Sequence, residues 1–216
     1  MFQEPSGLKN RIGFLESGGQ SGFTRTRGQR GQANISFQIA PDNTWEPSEG
    51  WPLYIYENYR DDDTAVCGWV GTVSGVSIKW NAGQEGQHKI DVEAIGAERI
   101  FDNIPTPVAE FTDTPAGTIF SYLLDYAIAQ GLPIAITAGT IGAGATVSIK
   151  YDGKQSVGAA FADLATKSPN YIQYISPRTL KYYFQEFSVS AAPFTITDAY
   201  PLFGTIEYNR TDTEFR

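Results

Sequence analysis

Ala65-Val66-Cys67-Gly68-Trp69-Val70-Gly71-Thr72-Val73-Ser74-Gly75-Val76-Ser77-Ile78-Lys79-Trp80 is the stretch whose reading decides the fold. Apolar residues take every second position across Val76-Ser77-Ile78-Lys79-Trp80, the period of a strand with one buried face. Ser74-Gly75 separates this run from the β-rich one before it, and a short glycine-containing step between two such runs predicts a hairpin. The expectation is two antiparallel strands, 65–73 and 76–80, joined by a tight turn.

Toward the N-terminus the same period returns in Asn34-Ile35-Ser36-Phe37-Gln38-Ile39 and a further strand follows at Leu53-Tyr54-Ile55-Tyr56. Pro41-Asp42-Asn43 marks a turn, 47–52 an irregular connection, and Arg60-Asp61-Asp62-Asp63 a polar tip. Ile12-Gly13-Phe14-Leu15 reads as a short strand, followed by a glycine-rich, weakly basic loop. Another strand is expected over 88–95. Short strands separated by turns at this spacing predict a small antiparallel barrel or sandwich.

Toward the C-terminus the period changes from two to about three and a half. Thr114-Pro115 reads as an N-cap with proline at the first helical position. Ile119, Phe120, Leu123, Tyr126 and Ala127 then form one stripe of a helix that ends at Gly131. After a strand over 145–151 and an Asp152-Gly153 turn comes a second helix, 156–167, with Val157, Ala160, Phe161, Leu164 and Ala165 on its apolar side. Lys167 suits its C-terminal dipole end, and Ser168-Pro169 stops it. Strands at 171–175 and 180–184, joined by Ser176-Pro177-Arg178-Thr179, complete a compact unit of two helices over a small sheet. One more strand is read at 202–208.

Composition supports a folded, mostly β chain. Of 216 residues, 41% are hydrophobic and only 19% charged, which excludes disorder; 22 Gly and 12 Pro argue against a long helical bundle. The formal charge of −8 excludes a broadly basic nucleic-acid-gripping face. That charge is unevenly spread: residues 1–30 carry five Lys/Arg against two acids, net +3, while 31–113 carry four against fourteen, net −10. A single cysteine, Cys67, allows no intrachain disulfide and, in its apolar run, reads as a structural thiol. The N-terminus lacks the basic-then-apolar pattern of a signal peptide. Residues 132–149 are uncharged, but their glycines, threonines and Pro133 read as turns and β-structure, not as a lipid-facing helix, so no stable membrane association is expected.

The residues nominate no catalytic set. His88 is the one histidine and Cys67 lies in an apolar strand, so neither a Cys/His pair nor a zinc site assembles naturally. Gly139-Thr140-Ile141-Gly142-Ala143-Gly144 lacks the lysine and the order of a phosphate loop, and Asp61-Asp62-Asp63 reads as a solvated acidic turn. No pair among the carboxylates is singled out for glycoside hydrolysis. Hence no cofactor, no metal and no enzyme activity are expected. Trp45, Trp51, Trp69 and Trp80 cluster in the β-rich part, where Trp69 and Trp80 are expected to fill the interior while Trp45 and Trp51 cover its end. Arg25, Arg27 and Arg30 form a short basic arm. Arg25, Arg27, Arg30, Trp45 and Trp51 are the candidate assembly interface.

The order of parts carries more information than any single motif. Phe23-Thr24-Arg25-Thr26 and Ala33-Asn34-Ile35-Ser36-Phe37 lead into Pro52-Leu53-Tyr54-Ile55-Tyr56-Glu57 and Cys67-Gly68-Trp69-Val70-Gly71-Thr72-Val73. Then follow Ala116-Gly117-Thr118-Ile119-Phe120-Ser121-Tyr122-Leu123-Leu124, Lys150-Tyr151-Asp152-Gly153, Val157-Gly158-Ala159-Ala160-Phe161-Ala162-Asp163-Leu164-Ala165 and Tyr171-Ile172-Gln173-Tyr174-Ile175-Ser176-Pro177-Arg178-Thr179-Leu180. This succession resembles the baseplate hub, or tail-tip, proteins of tailed bacteriophages, whose fold recurs in the front half of type VI secretion spike proteins. The resemblance implies an α+β, mostly β fold: an antiparallel β-barrel tube domain over 1–107 with an inserted two-helix α+β domain over 108–185. Residues 186–216 would finish the first barrel or start a truncated second tube domain, the chain then being an N-terminal fragment.

It further implies a homotrimer at the virion tail tip, assembled in the bacterial host cytoplasm. Its partners would be the distal tail ring, the tube and the tape measure, around a conduit through which DNA passes without specific binding. The alternative from the residues alone is a carbohydrate- or receptor-binding β-module of a viral tail that uses its tryptophans. A cell-wall hydrolase is a third reading, which no residues in the chain support.

Overall fold

The computed structural model describes residues 2–3, 9–10, 22–24, 31–39, 46–57, 66–80 and 88–187. The expected strands at 12–15 and 202–208, the turn at 41–43 and the acidic tip at 60–63 lie outside the described residues.

The decisive stretch is one strand, not two. Short strands β1 (Phe2–Gln3), β2 (Lys9–Asn10) and β3 (Gly22–Thr24) precede β4 (Gln32–Ile39) and β5 (Pro52–Glu57); then β6 runs unbroken from Val66 to Trp80 beside β7 (His88–Gly96). Ser74-Gly75 makes no hairpin. A two-residue hairpin turn needs positive φ at its first or both central residues, and neither Ser74 nor Gly75 has it. The pairing of β6 with β7 instead shifts register between Val73 and Gly75, so the extra residue is absorbed as a bulge inside the strand. The long strand thereby serves two neighbours: Val66–Thr72 pairs with β5 and Gly71–Trp80 with β7, both antiparallel.

The resulting seven-stranded sheet has the order β2-β1-β5-β6-β7-β4-β3. Among the described residues its ends, β2 and β3, are not paired with each other, so the expected closed barrel is not seen in them. Alternation sorts its side chains onto two faces. One face gathers Ala33, Ile35, Phe37, Leu53, Trp69, Val73, Ile90, Val92 and Ala94 into a buried cluster. Trp69 fills this interior as expected, at 2% exposure. Its ring lies over Gly71, where a Cβ would collide with that ring and with the Ile95 carbonyl.

The opposite face of β5 and β6 offers Tyr54 and Val70 to a second, larger cluster. A 3₁₀ helix, Ala97–Asn103, follows β7 directly and buries Ala97, Ile100 and Phe101 there. After it come β8 (Val108–Pro115), α1 (Ala116–Ala129), β9 (Thr137–Ile141), β10 (Thr146–Asp152), α2 (Val157–Lys167), β11 (Tyr171–Ser176) and β12 (Lys181–Glu186). They form the expected two-helix α+β unit, with its β-structure split into an antiparallel β8–β10 ribbon and a β11-β12-β9 sheet in which β9 runs parallel to β12. The large cluster draws on residues from both sides of position 107.

Both helices carry the expected stripes: Ile119, Phe120, Leu123 and Ala127 of α1, and Val157, Ala160, Phe161 and Leu164 of α2, are fully buried. The start of α1 differs by one residue from expectation. Pro115 is the N-cap, ending β8 as it opens the helix, and Thr114 instead bonds the Thr112 carbonyl. The first helical amides find other partners: Ala116 N–H donates to Ala145 O and Gly117 N–H to Ala143 O, each at 2.8 Å. Gly117 is required there, because a Cβ would strike the Gly142 carbonyl. Helix α2 is capped by Ser156, whose hydroxyl accepts from Ala159 N–H at 3.1 Å, and Lys167 pairs with Asp163 at 2.6 Å in its last turn.

An aromatic knot ties these parts together. Phe120 stacks on Phe161 at 4.1 Å and on Phe184 at 5.0 Å, while Phe101 and Tyr182 close around them at 5.1–5.3 Å. Such pairs add about 0.5–1.5 kcal/mol each beyond the area they bury.

Candidate assembly surfaces

Of the five residues nominated from sequence, Trp51 falls among the described ones; Arg25, Arg27, Arg30 and Trp45 lie outside them. Trp51 is half-buried against the smaller cluster. Its carbonyl accepts from Val73 N–H at 2.9 Å, and Gly50 N–H donates to Val73 O at 2.8 Å, so the tryptophan is pinned to β6 beside the bulge. Trp69 is core, which removes it from any stacking platform. His88 sits at the start of β7, opposite Ile39 and Trp80. The Cys67 thiol is half-buried and donates to Trp69 O at 3.3 Å.

Beside Trp51 lies a feature that sequence reading missed. A cleft of about 390 Å³ runs along the seam between the large sheet and the α+β unit, with Glu49, Thr72, Arg99, Asn103, Gln130 and Leu132 among its lining. Its walls come from four separate stretches of chain, so no local pattern marks it. One carboxylate, one guanidinium, two amides and the Thr72 and Ser74 hydroxyls in its lining suit polar recognition.

The displaced titratable groups are elsewhere. Asp91 is held well below the usual carboxylate range, first by the hydrogen bond from Lys79 at 2.8 Å, then by Ser36 at 2.5 Å and by Lys89 at 3.1 Å. This is a cross-strand network over β4, β6 and β7. Lys154 lowers the Asp152 carboxyl at the turn after β10. Burial raises Tyr54, and burial together with the Asp163 charge pushes Tyr151 up to about 12. The Tyr151 hydroxyl and Thr106 Oγ1 are buried without a hydrogen-bond partner. None of these groups lines the cleft. Among the described residues, no three His, Cys, Asp or Glu side chains converge as a metal site. No described helix is long and apolar enough to cross a membrane.

The described surface also carries exposed apolar side chains and strand edges. Val108 is 78% exposed, and Tyr122 and Ile128 stand out on α1. The strand edges differ in how they are guarded. The β8–β10 ribbon carries Glu110 paired with Lys150 at 2.9 Å, along with Asp113 and Asp152. On β11, Ile175 N–H donates to Glu98 Oε1 at 3.3 Å. The β9 strand, Thr137-Ala138-Gly139-Thr140-Ile141, has neither charge nor proline.

The geometry defines a class: a chain of mixed α+β structure, with a large antiparallel sheet backed on one face by a two-helix unit. The 43 kDa tail protein of prophage MuSo2 from Shewanella oneidensis has a similar fold, with a TM-score of 0.51 at 11% identity over 73% of this chain and 46% of that one. Two further solved structures are the tail protein from Neisseria meningitidis MC58 (TM-score 0.48, 12% identity, 82% of this chain and 54% of that one) and prophage tail protein gp18 from Listeria monocytogenes EGD-e (0.44, 11%, 74% and 42%). With TM-scores under 0.5, neither carries the fold assignment. The chain spans about half the length of these proteins. No protein-family model and no curated protein matches the sequence.

Proposed function

We propose that this chain is a structural part of a bacteriophage tail, a hub at the tail tip and not an enzyme. One observation carries the reading: the fold is shared with a prophage tail protein across most of this chain. In this reading the large sheet is the tube domain. The one-sided cluster around Trp69 is the inner filling of a barrel that other strands close, and the α+β unit decorates its outside. Three copies form a ring that joins the tail tube and distal ring to the downstream spike or fibre, around the conduit for DNA and tape measure. The charge split supports the conduit: the net −10 of residues 31–113 would repel passing DNA and keep it from sticking to the wall.

Sedimentation equilibrium of the purified chain tests the proposal. The expected result is a mass near three protomers that survives moderate salt. A monomer at every concentration, together with glycan binding that Trp51→Ala abolishes, would overturn it in favour of a carbohydrate-binding module.

A further inference from the structure

No further inference is drawn: the strongest candidate, the uncharged outer edge of β9 in the three-stranded sheet, is an open strand edge, and nothing in the structure shows what covers it.

Discussion

The cluster around Phe120 and the cluster around Trp69 solve the same problem in different ways. Around Phe120, a 3₁₀ helix, two α-helices and strands from three sheets send side chains inward from many directions, and rings meet rings at 4.1–5.3 Å. Around Trp69, the buried side chains among the described residues come from one face of one sheet. A core assembled from many elements is self-sufficient, whereas one lining a single sheet is stable only when that sheet curls or is covered. Tyr54 and Val70, on the back of the same strands, tie the two clusters together. The difference is one of construction: the Phe120 cluster is built from many elements, Tyr54 and Val70 of the large sheet among them, whereas the described part of the Trp69 cluster is built from that sheet alone.

Charge in the Phe120 cluster should have the largest effect. Phe161 is fully buried, and Phe161→Asp is expected to cost upwards of about 4 kcal/mol, enough to melt the α+β unit. All four tryptophans lie within 45–80, so far-UV circular dichroism reads the helices while tryptophan fluorescence reads the sheet. Helical signal retained at its normal melting temperature would show the helix faces to be misassigned.

Trp69→Ala strikes the other cluster and is expected to cost about 3–5 kcal/mol. Because the clusters are joined through Tyr54 and Val70, both optical signals should shift together. A loss confined to one signal would break the comparison into two independently folding parts.

The Asp91 network gives a smaller effect that depends on pH. Its folded carboxyl titrates below the unfolded value of about 3.9, so the stabilisation is complete above that pH and is lost as the pH falls further. Thermal melts in acid should therefore show a steeper fall for the natural chain than for Asp91→Asn. Parallel curves would mean that the cross-strand bonds from Lys79, Ser36 and Lys89 contribute nothing to the sheet.

The smallest effect is expected at Tyr151. With its folded value raised to about 12, the unfolded state ionises first, and stability declines as the pH climbs from about 10. Tyr151→Phe removes that alkaline decline. Because the buried hydroxyl has no partner, the change should be neutral or stabilising by up to ~1 kcal/mol at neutral pH. A clear loss of stability on chemical denaturation would show that the hydroxyl is bonded after all.

What sequence could reveal follows the same division. The α+β unit was legible because its signals are local: the stripes through Ile119-Phe120-Leu123 and Ala160-Phe161-Leu164, the Ser156 cap, and Lys167 before Ser168-Pro169 all act within one or two turns. The long strand was misread because a bulge and a hairpin leave the same local trace, a small residue and a glycine between apolar runs; which one forms depends on what lies across from Gly75, here Glu93 on β7. The parallel pairing of β9 with β12 joins residues some forty positions apart, and the 3₁₀ helix over Ala97–Asn103 is too short to show a period. Of the candidate interface, Trp51 was findable as a clustered aromatic. The adjacent cleft was not, since Glu49, Thr72, Arg99 and Gln130 meet only through the fold.

The central claim is that this polypeptide is built to be assembled, and cryo-electron microscopy of the purified chain at high concentration tests it most directly. The account predicts rings with threefold symmetry, the large sheets closed around a central channel and the α+β units on the outside. Isolated single subunits at every concentration, with a small molecule held in the cleft beside Arg99, would contradict it.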